Sequence, residues 1–429
     1  MSYTTVMNRR LFSVLLLFCL FPSLLGQKVP RIQPEEAGMA ADRLARIETV
    51  MQQYIDQGKM AGLVCLLVRN GGVVYEKNLG KLDVAKATPI PPDAIFRIAS
   101  QSKAITSVAV MILVEEGRLR LNDPVSKFIP EFKDSRVAVK SDEPGAKGYI
   151  TVPAKREITI RDLLTHTAGI SYGYGPAADL YEAAGLQGWN FTQKEVPIGE
   201  SIRKLATLPF DAHPGEKYIY GYNTDILGYV VEVVSGTNLA DFIRTRITEP
   251  LKMVDTHFYL PAEKIARFTP VYGVRNGKLE LVEPADQNYY VSGPRVSYSG
   301  GAGLLSTAED YARFLQMLLN GGELEGVRIL SPKTVELMTV NHVGNLHSER
   351  QGFGLGFWVT EHLGRAGEHG SVGAFGWGGA YHTTYWVDPA ERLVAVYMTQ
   401  LLPAGNLDDH DKFRALVYQA ITTSYQEGS

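Results

Sequence analysis

Apolar residues recur at helical spacing in "ADRLARIETVMQQYIDQG" (41–58), and the next stretch, "GLVCLLVRNGGVVYEKNLG", falls into two apolar runs around an Asn-Gly-Gly turn. The pattern predicts a helix followed by a β-hairpin at the front of the chain. Toward the other end, "AYHTTYWVDPAERLVAVYMTQ" (380–400) predicts a second hairpin, turned at Asp388-Pro389, with a helix in "DKFRALVYQAITTSYQ" behind it. Between them the periodicity is helical in "SKAITSVAVMILVEEG", "TIRDLLTHTAG", "DILGYVVEVVSG", "LADFIRTRITEPL" and "TAEDYARFLQMLLNGG", the last closed by glycines as a helix end should be. The expected class is α+β: an antiparallel sheet built from both ends of the chain, flanked by helices, with a mainly helical region inserted. Residues 27–95 and 305–429 would form the sheet-containing α/β domain and 96–304 the mainly helical domain, with an active site between the two. The stretch 133–157 reads as an exposed excursion.

At the N-terminus the periodicity disappears. "MNRRLFSVLLLFCLFPSLLGQ" (7–27) sets Arg9 and Arg10 before an uncharged apolar run that ends in small residues. That is the pattern of an export signal over residues 1–26, cleaved near Gly26 and Gln27. Pro22 interrupts the run, which falls short of the ~20 apolar residues a spanning helix needs, so no stable membrane anchor is expected after cleavage. The composition, 45% hydrophobic and 21% charged with a net charge of -3, fits a soluble globular protein and offers no basic surface for nucleic acid. Of the two cysteines, Cys19 leaves with the leader and Cys65 lies in the apolar "LVCLLV". No intrachain disulfide and no thiol nucleophile are therefore expected.

Candidate chemistry gathers where a strand-like run meets a helical one. "IFRIASQSKAIT" (95–106) spaces Ser100 and Lys103 three apart, which on a helix sets hydroxyl and amine on one face. Ser201 and Lys204 repeat the spacing, but with Glu200 and Arg203 beside them they read as the solvated face of a short helix. On these residues alone, Ser100 is better read as a helix N-cap with Lys103 snorkelling. As nucleophile and base, the pair needs a lysine amine able to accept a proton, a condition that burial and a neighbouring cation or phenol supply. "PGEKYIYGYNTDILGYVVEVVSG" (214–236) offers Tyr218, Tyr220 and Tyr222, although their alternation also suits a half-buried strand.

Gly169-Ile170-Ser171-Tyr172-Gly173 fits Gly-x-Ser-x-Gly, yet it follows the helical "RDLLTHT" and runs into a loop, so Ser171 lacks the strand–turn–helix setting of that motif. His166 reads as a hydrogen-bonding structural residue. "DDHDK" (408–412) reads as a solvated helix start. No His-Glu-x-x-His, paired-cysteine motif or phosphate loop occurs, so neither a metal nor a cofactor is expected.

Several of these segments, taken in order, form a broader pattern. They are Ser100-Gln101-Ser102-Lys103, "ITIRDLLTHTAGI" (158–170), "PGEKYIYGYNTDILGYVVEVVSG", "GGAGLLSTAEDYARFLQMLLNGG" (300–322) and "WGGAYHTTYWVDP" (377–389). With them the chain resembles the serine hydrolases related to class C β-lactamases and D-alanyl-D-alanine carboxypeptidases, and most closely the family VIII carboxylesterases. The resemblance spans nearly all of the chain behind the leader and implies the β-lactamase-like fold.

It also implies roles. Ser100 would be the nucleophile and Lys103 its base. Tyr220, followed by Asp225, Leu227 and Gly228, would be the catalytic tyrosine, with Tyr218 and Tyr222 as alternatives. Trp377-Gly378-Gly379 takes the place of the Lys-Thr-Gly strand of β-lactamases, and the backbone N–H groups of Ser100 and Ala380 would form the oxyanion hole. Trp377, Gly378, Gly379, Tyr222 and Tyr172 would touch substrate. Tyr174, Trp189 and Phe191 would line an acyl pocket or simply pack.

Two departures from the β-lactamase pattern stand out: Tyr222 replaces the asparagine of Tyr-x-Asn, and Trp377 carries no charge to draw a carboxylate. The implied function is an exported bacterial serine carboxylesterase, periplasmic or secreted, that hydrolyses small to medium acyl esters through an acyl-enzyme on Ser100, with weaker action on β-lactams, cephalosporins especially. The alternatives are a β-lactamase or D-alanyl-D-alanine carboxypeptidase and, in a different class, a non-catalytic penicillin-binding or cell-wall-binding protein.

Overall fold

A computed structural model describes Met1 and residues 28–143 and 148–425. Apart from Met1, the expected leader lies outside the described residues.

The chain opens with α1 (Ala41–Asp56), β1 (Gly62–Arg69) and β2 (Gly72–Asp83), followed by a two-residue β3 (Thr88–Pro89). It enters its long middle part through β4 (Phe96–Arg97) and α2 (Ser102–Glu115). There the ribbon β5 (Arg136–Lys140) and β6 (Tyr149–Pro153) precedes α3 (Ile160–Leu164), α4 (Ala178–Ala183), α5 (Ile198–Ala206), α6 (Asn223–Ser235) and α7 (Leu239–Ile243). A second ribbon, β7 (Val271–Arg275) with β8 (Lys278–Glu283), leads to α8 (Tyr289–Ser292). The chain returns through β9 (Leu305–Ser306) to α9 (Ala308–Leu319), the short pair β10 (Glu323–Leu324) and β11 (Val327–Arg328), and α10 (Pro332–Met338). The last part holds β12 (Gly352–Phe353), β13 (Trp358–Val359), α11 (Leu363–Ala366), β14 (Phe375–Gly379), β15 (Thr383–Asp388), β16 (Leu393–Thr399) and α12 (Asp409–Tyr418).

One sheet organises the molecule, in the order β12-β13-β14-β15-β16-β1-β2-β3, with antiparallel neighbours throughout. Every residue of β1 is buried, because helices cover both faces. Leu63, Cys65 and Leu67 join Ile47 and Met51 of α1 and Phe413 and Val417 of α12. Val64, Leu66 and Val68 join Leu315 of α9 and Val108 of α2 on the other side. This period-2 division explains the unbroken apolar run of β1: each face has its own core, and each fully buried aliphatic side chain contributes about 1.5–3 kcal/mol. Burial pushes the Cys65 thiol up to about 12, which keeps it inert.

The main hydrophobic cluster continues from Val64 and Val396 of the sheet to Ile105, Leu163 and Ile226 of the helical region without a break. β4 pairs with β9, Phe96 opposite Ser306 and Arg97 opposite Leu305. The chain therefore leaves for its helical excursion and returns from it at one short ladder. The buried Arg97 guanidinium fixes this place by donating to the Thr269 carbonyl at 2.7 Å and to Glu283 at 2.6 Å. Among the described residues no single helix is long and apolar enough to cross a membrane.

Several local readings need correction. The excursion at 133–157 is not merely an exposed loop: β5 and β6 pair, Arg136 opposite Pro153 through Lys140 opposite Tyr149, and Val137 and Ala138 of β5 are buried. The helix in "TIRDLLTHTAG" is one short turn set, started by a Thr159–Asp162 capping box and stopped before His166, whose backbone turns left-handed at φ 55. "LADFIRTRITEPL" is α-helical only to Ile243 and continues as a π-turn. Tyr218 and Tyr220 lie in a loop rather than a strand. Ser201 is buried on the inner face of α5 with Ile198, Ile202 and Leu205, while Lys204 reaches the Ala184 carbonyl on the surface. Their shared spacing makes no pair.

Candidate active site

The segment from β4 into α2 fixes Ser100 before any side chain is considered. Ala99 has a left-handed backbone, φ 42, and is fully buried. A non-glycine residue there costs on the order of 1–3 kcal/mol and persists only where its surroundings dictate it. Those surroundings are the β4–β9 ladder, the Ile98 N–H bond to the Leu304 carbonyl at 3.1 Å and the bond from Tyr311 Oη to the Gln101 carbonyl at 2.9 Å. Ser102 adds its Oγ, which accepts from Leu304 N at 3.0 Å. Ser100 then sits inside a 3-10 turn over Ala99–Gln101, with Ile98 at the N-cap of that turn and Gln101 at the N-cap of α2. α2 is apolar on all sides, and every residue from Ser102 to Leu113 is buried, so it carries Lys103 inward rather than letting it snorkel.

Lys103 is 2% exposed, and its Nζ donates to the Gly301 carbonyl at 2.7 Å, to Ser100 Oγ at 3.2 Å and to Tyr172 Oη at 3.2 Å. The Gly301 carbonyl is aimed by Asp225, whose Oδ1 accepts from Ser299 Oγ at 2.6 Å and from Gly301 N at 3.1 Å. A side chain at Gly301 would collide with that carboxylate. Burial raises the Asp225 carboxyl above its ordinary range, against the opposing pull of Lys103 and its hydrogen bonds. Tyr220 lies against the amine in a different way: Lys103 Nζ stands 4.7 Å from its ring centroid, and its Oη accepts from Trp377 Nε1 at 3.2 Å. The structure thus brings Ser100, Lys103, Tyr172, Tyr220 and Trp377 into one cluster. Within it Tyr172 bonds Lys103 directly, a contact its expected place beside substrate did not include. Burial, with Tyr220, Asp225 and Tyr222 nearby, raises the Tyr172 phenol well above its usual value.

Tyr222 and Tyr218 take other positions. Tyr222 is buried, donates to the Leu186 carbonyl at 2.7 Å and stacks on the buried Phe191 with centroids 4.7 Å apart. Tyr218 packs on His347 and Phe353, and its hydroxyl is buried without a hydrogen-bond partner among the described residues. His166 is fully buried, with Nδ1 3.0 Å from Asn223 Nδ2 and its ring 4.7 Å from that of Tyr220. Burial, reinforced by the neighbouring Lys103, lowers it well below the usual imidazole value, so it is a neutral packing partner. Ser171 lies in a loop and accepts from Gly173 N at 3.1 Å.

β14 forms the opposite wall. A Cβ at Gly379 would come within 2.5 Å of the Ile98 carbonyl, so the absence of a side chain sets how closely β14 approaches the turn bearing Ser100. Ala380 follows, exposed, and Tyr381 packs on Ala99; Ala380 is therefore held between two contacts with the residues that lead into Ser100. Gly379→Ala should lower kcat/KM on an ester by about 100-fold through misplacement of this wall and cost about 1–3 kcal/mol from overpacking. Steady-state kinetics and denaturant unfolding would check both parts.

Next to this wall lies a cavity of about 310 Å³, bounded by Trp189, Phe191, Tyr222, Tyr290 and Tyr381. Trp189 meets Tyr381 edge to face, while Tyr174 is largely exposed at the rim. Neither this cavity nor a larger one of about 540 Å³ beside α7 is lined by Ser100, Lys103, Tyr172, Tyr220 or Trp377. The contributions that sequence reasoning missed are the Gly301 carbonyl and its support by Asp225. A main-chain acceptor has no residue signature, although the Gly300-Gly301 pair and Asp225 both fall inside motifs already singled out.

The beta-lactamase family model matches residues 47–419. Protein Rv1367c of Mycobacterium tuberculosis (strain ATCC 25618 / H37Rv) is 32% identical over 381 residues, 83% of this chain and 90% of that protein. Esterase EstB of Burkholderia gladioli is 29% identical over 386 residues, 85% of this chain and 92% of that one. Among solved structures, EstCE1, described as a hydrolase with promiscuous acyltransferase activity, superposes with a TM-score of 0.76 at 28% identity, covering 88% of this chain and 99% of that one.

Proposed function

Since the chain belongs to the beta-lactamase family, we propose that it is a serine carboxylesterase acting on small to medium acyl esters. The observation that carries this reading is the buried Lys103 amine, 3.2 Å from Ser100 Oγ and surrounded by phenols. Such a pair splits acyl transfer into two easier steps. Ser100 Oγ attacks the ester carbonyl, and its proton passes into the Lys103–Tyr220 pair. The backbone N–H groups of Ser100 and Ala380 stabilise the oxygen that becomes negative. Collapse returns the proton to the departing alcohol and leaves the acyl group on Ser100. A water molecule, deprotonated by the same pair, then attacks the acyl carbon; the bond to Ser100 Oγ breaks, the pair returns the proton to Oγ, and the acid leaves.

The choice of esters over β-lactams rests on β14. Trp377 turns an uncharged indole toward Tyr220, where an anionic peptide or β-lactam needs a cation. Such surroundings suit uncharged, partly apolar groups. EstB is named an esterase, and membership of the family VIII carboxylesterases is part of the same proposal. The leader-like residues 1–26 support export to the periplasm or beyond as the place of action.

Relative efficiencies test the proposal. With purified protein, kcat/KM for nitrophenyl butyrate should exceed that for a chromogenic cephalosporin by at least about 100-fold, and a peptide ending in D-alanyl-D-alanine should not be cleaved. A preference for the cephalosporin or the peptide would reassign the enzyme to the lactamase or peptidase reading. No turnover of any of the three would favour a binding protein.

A further inference from the structure

The turn after β14 carries a second cluster of chemistry-bearing side chains, separate from Ser100. It brings His382 onto the start of α12, where His382 Nε2 lies 2.9 and 3.0 Å from the two carboxylate oxygens of Asp409. The rings of His382 and His410 stack with centroids 4.0 Å apart. One donor atom from each of His382, Asp409 and His410 falls within 4.8 Å of the others. We propose that these three residues bind a divalent transition cation of the zinc class.

Two imidazoles and one carboxylate are the donor set such cations take, at bond lengths of about 2.0–2.2 Å, with a fourth position left for water. The metal would enter between His382 Nε2 and the Asp409 carboxylate and replace their hydrogen bond. A small rotation of one imidazole out of the stack would let both rings converge on it. The surroundings match what metal ligands need around them. Tyr397 Oη donates to Asp409 Oδ2 at 2.7 Å, and His410 Nε2 lies 3.3 Å from the His382 carbonyl; partners of this kind orient ligating carboxylates and imidazoles. The Asp409 side chain is fully buried whereas that of His382 is 15% exposed, which leaves a path for the ion from one side. The neighbouring Lys412 is tied to Asp408 at 2.8 Å instead of to Asp409. Sequence spacing does not reveal the site, since His382 lies outside the "DDHDK" run and only the fold brings it there.

The position gives the site a consequence. His382 has a left-handed backbone, φ 64, three residues after Gly379 and two after Ala380. A cation held by His382 and α12 would pin the turn that carries Ala380. The binding claim itself does not depend on the esterase reading.

Calorimetric titration of the chelator-dialysed protein with zinc chloride tests the proposal. One saturable site is expected, together with a higher Tm in the presence of zinc. His382→Gln and His410→Gln should each weaken the affinity at least about tenfold, and His362→Gln, an exposed histidine elsewhere, should leave it unchanged. Cobalt(II) provides an independent readout: a visible absorption band in the parent protein that both variants lose. The absence of saturable zinc binding by the folded parent protein would overturn the proposal without reference to any variant. Unchanged affinity in both folded variants would overturn it equally and leave the trio a hydrogen-bonded support for α12.

Discussion

Ser100→Ala removes ester turnover, with a fall in kcat on the order of 10⁴-fold or more, while the protein stays folded. The size of the effect follows from the role: losing a nucleophile closes the covalent route and leaves only what the oxyanion donors and binding supply. The fold should tolerate the change because Ser100 is the N-cap of neither the 3-10 turn nor α2, and Lys103 keeps the Gly301 carbonyl at 2.7 Å and Tyr172 at 3.2 Å. Mass spectrometry after brief exposure to a slowly deacylating ester adds a second line: the parent protein should gain one acyl mass and the variant none. Because nitrophenyl esters are reactive, the comparison between the two proteins carries more weight than the raw rate. Equal turnover in both would remove Ser100 from the mechanism and direct attention to Ser171.

The tyrosines should separate just as clearly. Tyr220→Phe is expected to lower kcat by about 10²- to 10⁴-fold, the range for losing a positioned proton-transfer group. Tyr172→Phe should lower it by roughly tenfold, the scale of one lost hydrogen bond. Burial and its neighbours hold Tyr172 as a neutral phenol well above its usual value, which suits it to anchoring Lys103 and not to taking a proton. Tyr220 has the Trp377 indole N–H donating to its oxygen and the Lys103 amine over its ring, the position of the group proposed to exchange the proton. Tyr218→Phe, which deletes a hydroxyl with no partner among the described residues, serves as the near-neutral control. If Tyr172→Phe proved the more damaging change, the two roles would be exchanged.

The parts of this molecule that could be read from its sequence are those set by local periodicity. Both terminal hairpins and the helices beside them were legible because two-residue and 3.6-residue repeats report on burial one segment at a time. The ribbon at 133–157 was not, since "RVAVK" and "YITVP" are short alternations among lysines, glycines and prolines, and only pairing across the loop makes strands of them. α3 is shorter than its pattern because His166 adopts the left-handed backbone, a choice made by its packing on Tyr220 and Asn223. At the site, the spacing of Ser100 and Lys103 was visible, but the acceptors that position Lys103 come from Tyr172 and a main-chain carbonyl at Gly301, each far away in sequence. The larger pattern of ordered motifs identified the family where single motifs did not.

The pairing of β1 with β16, Leu63 opposite Thr399 through Arg69 opposite Leu393, sets a schedule for biosynthesis. At translation rates of about 5–20 residues per second, β1 waits roughly tens of seconds after leaving the ribosome for the strand that completes its ladder. Throughout that wait its most apolar run presents an open edge, a template for pairing with any other chain nearby. A polypeptide that stops short of Leu393 never closes the edge, so folding is committed only when synthesis is nearly finished. Until then the nascent chain carries its aggregation hazard in the open edge of β1.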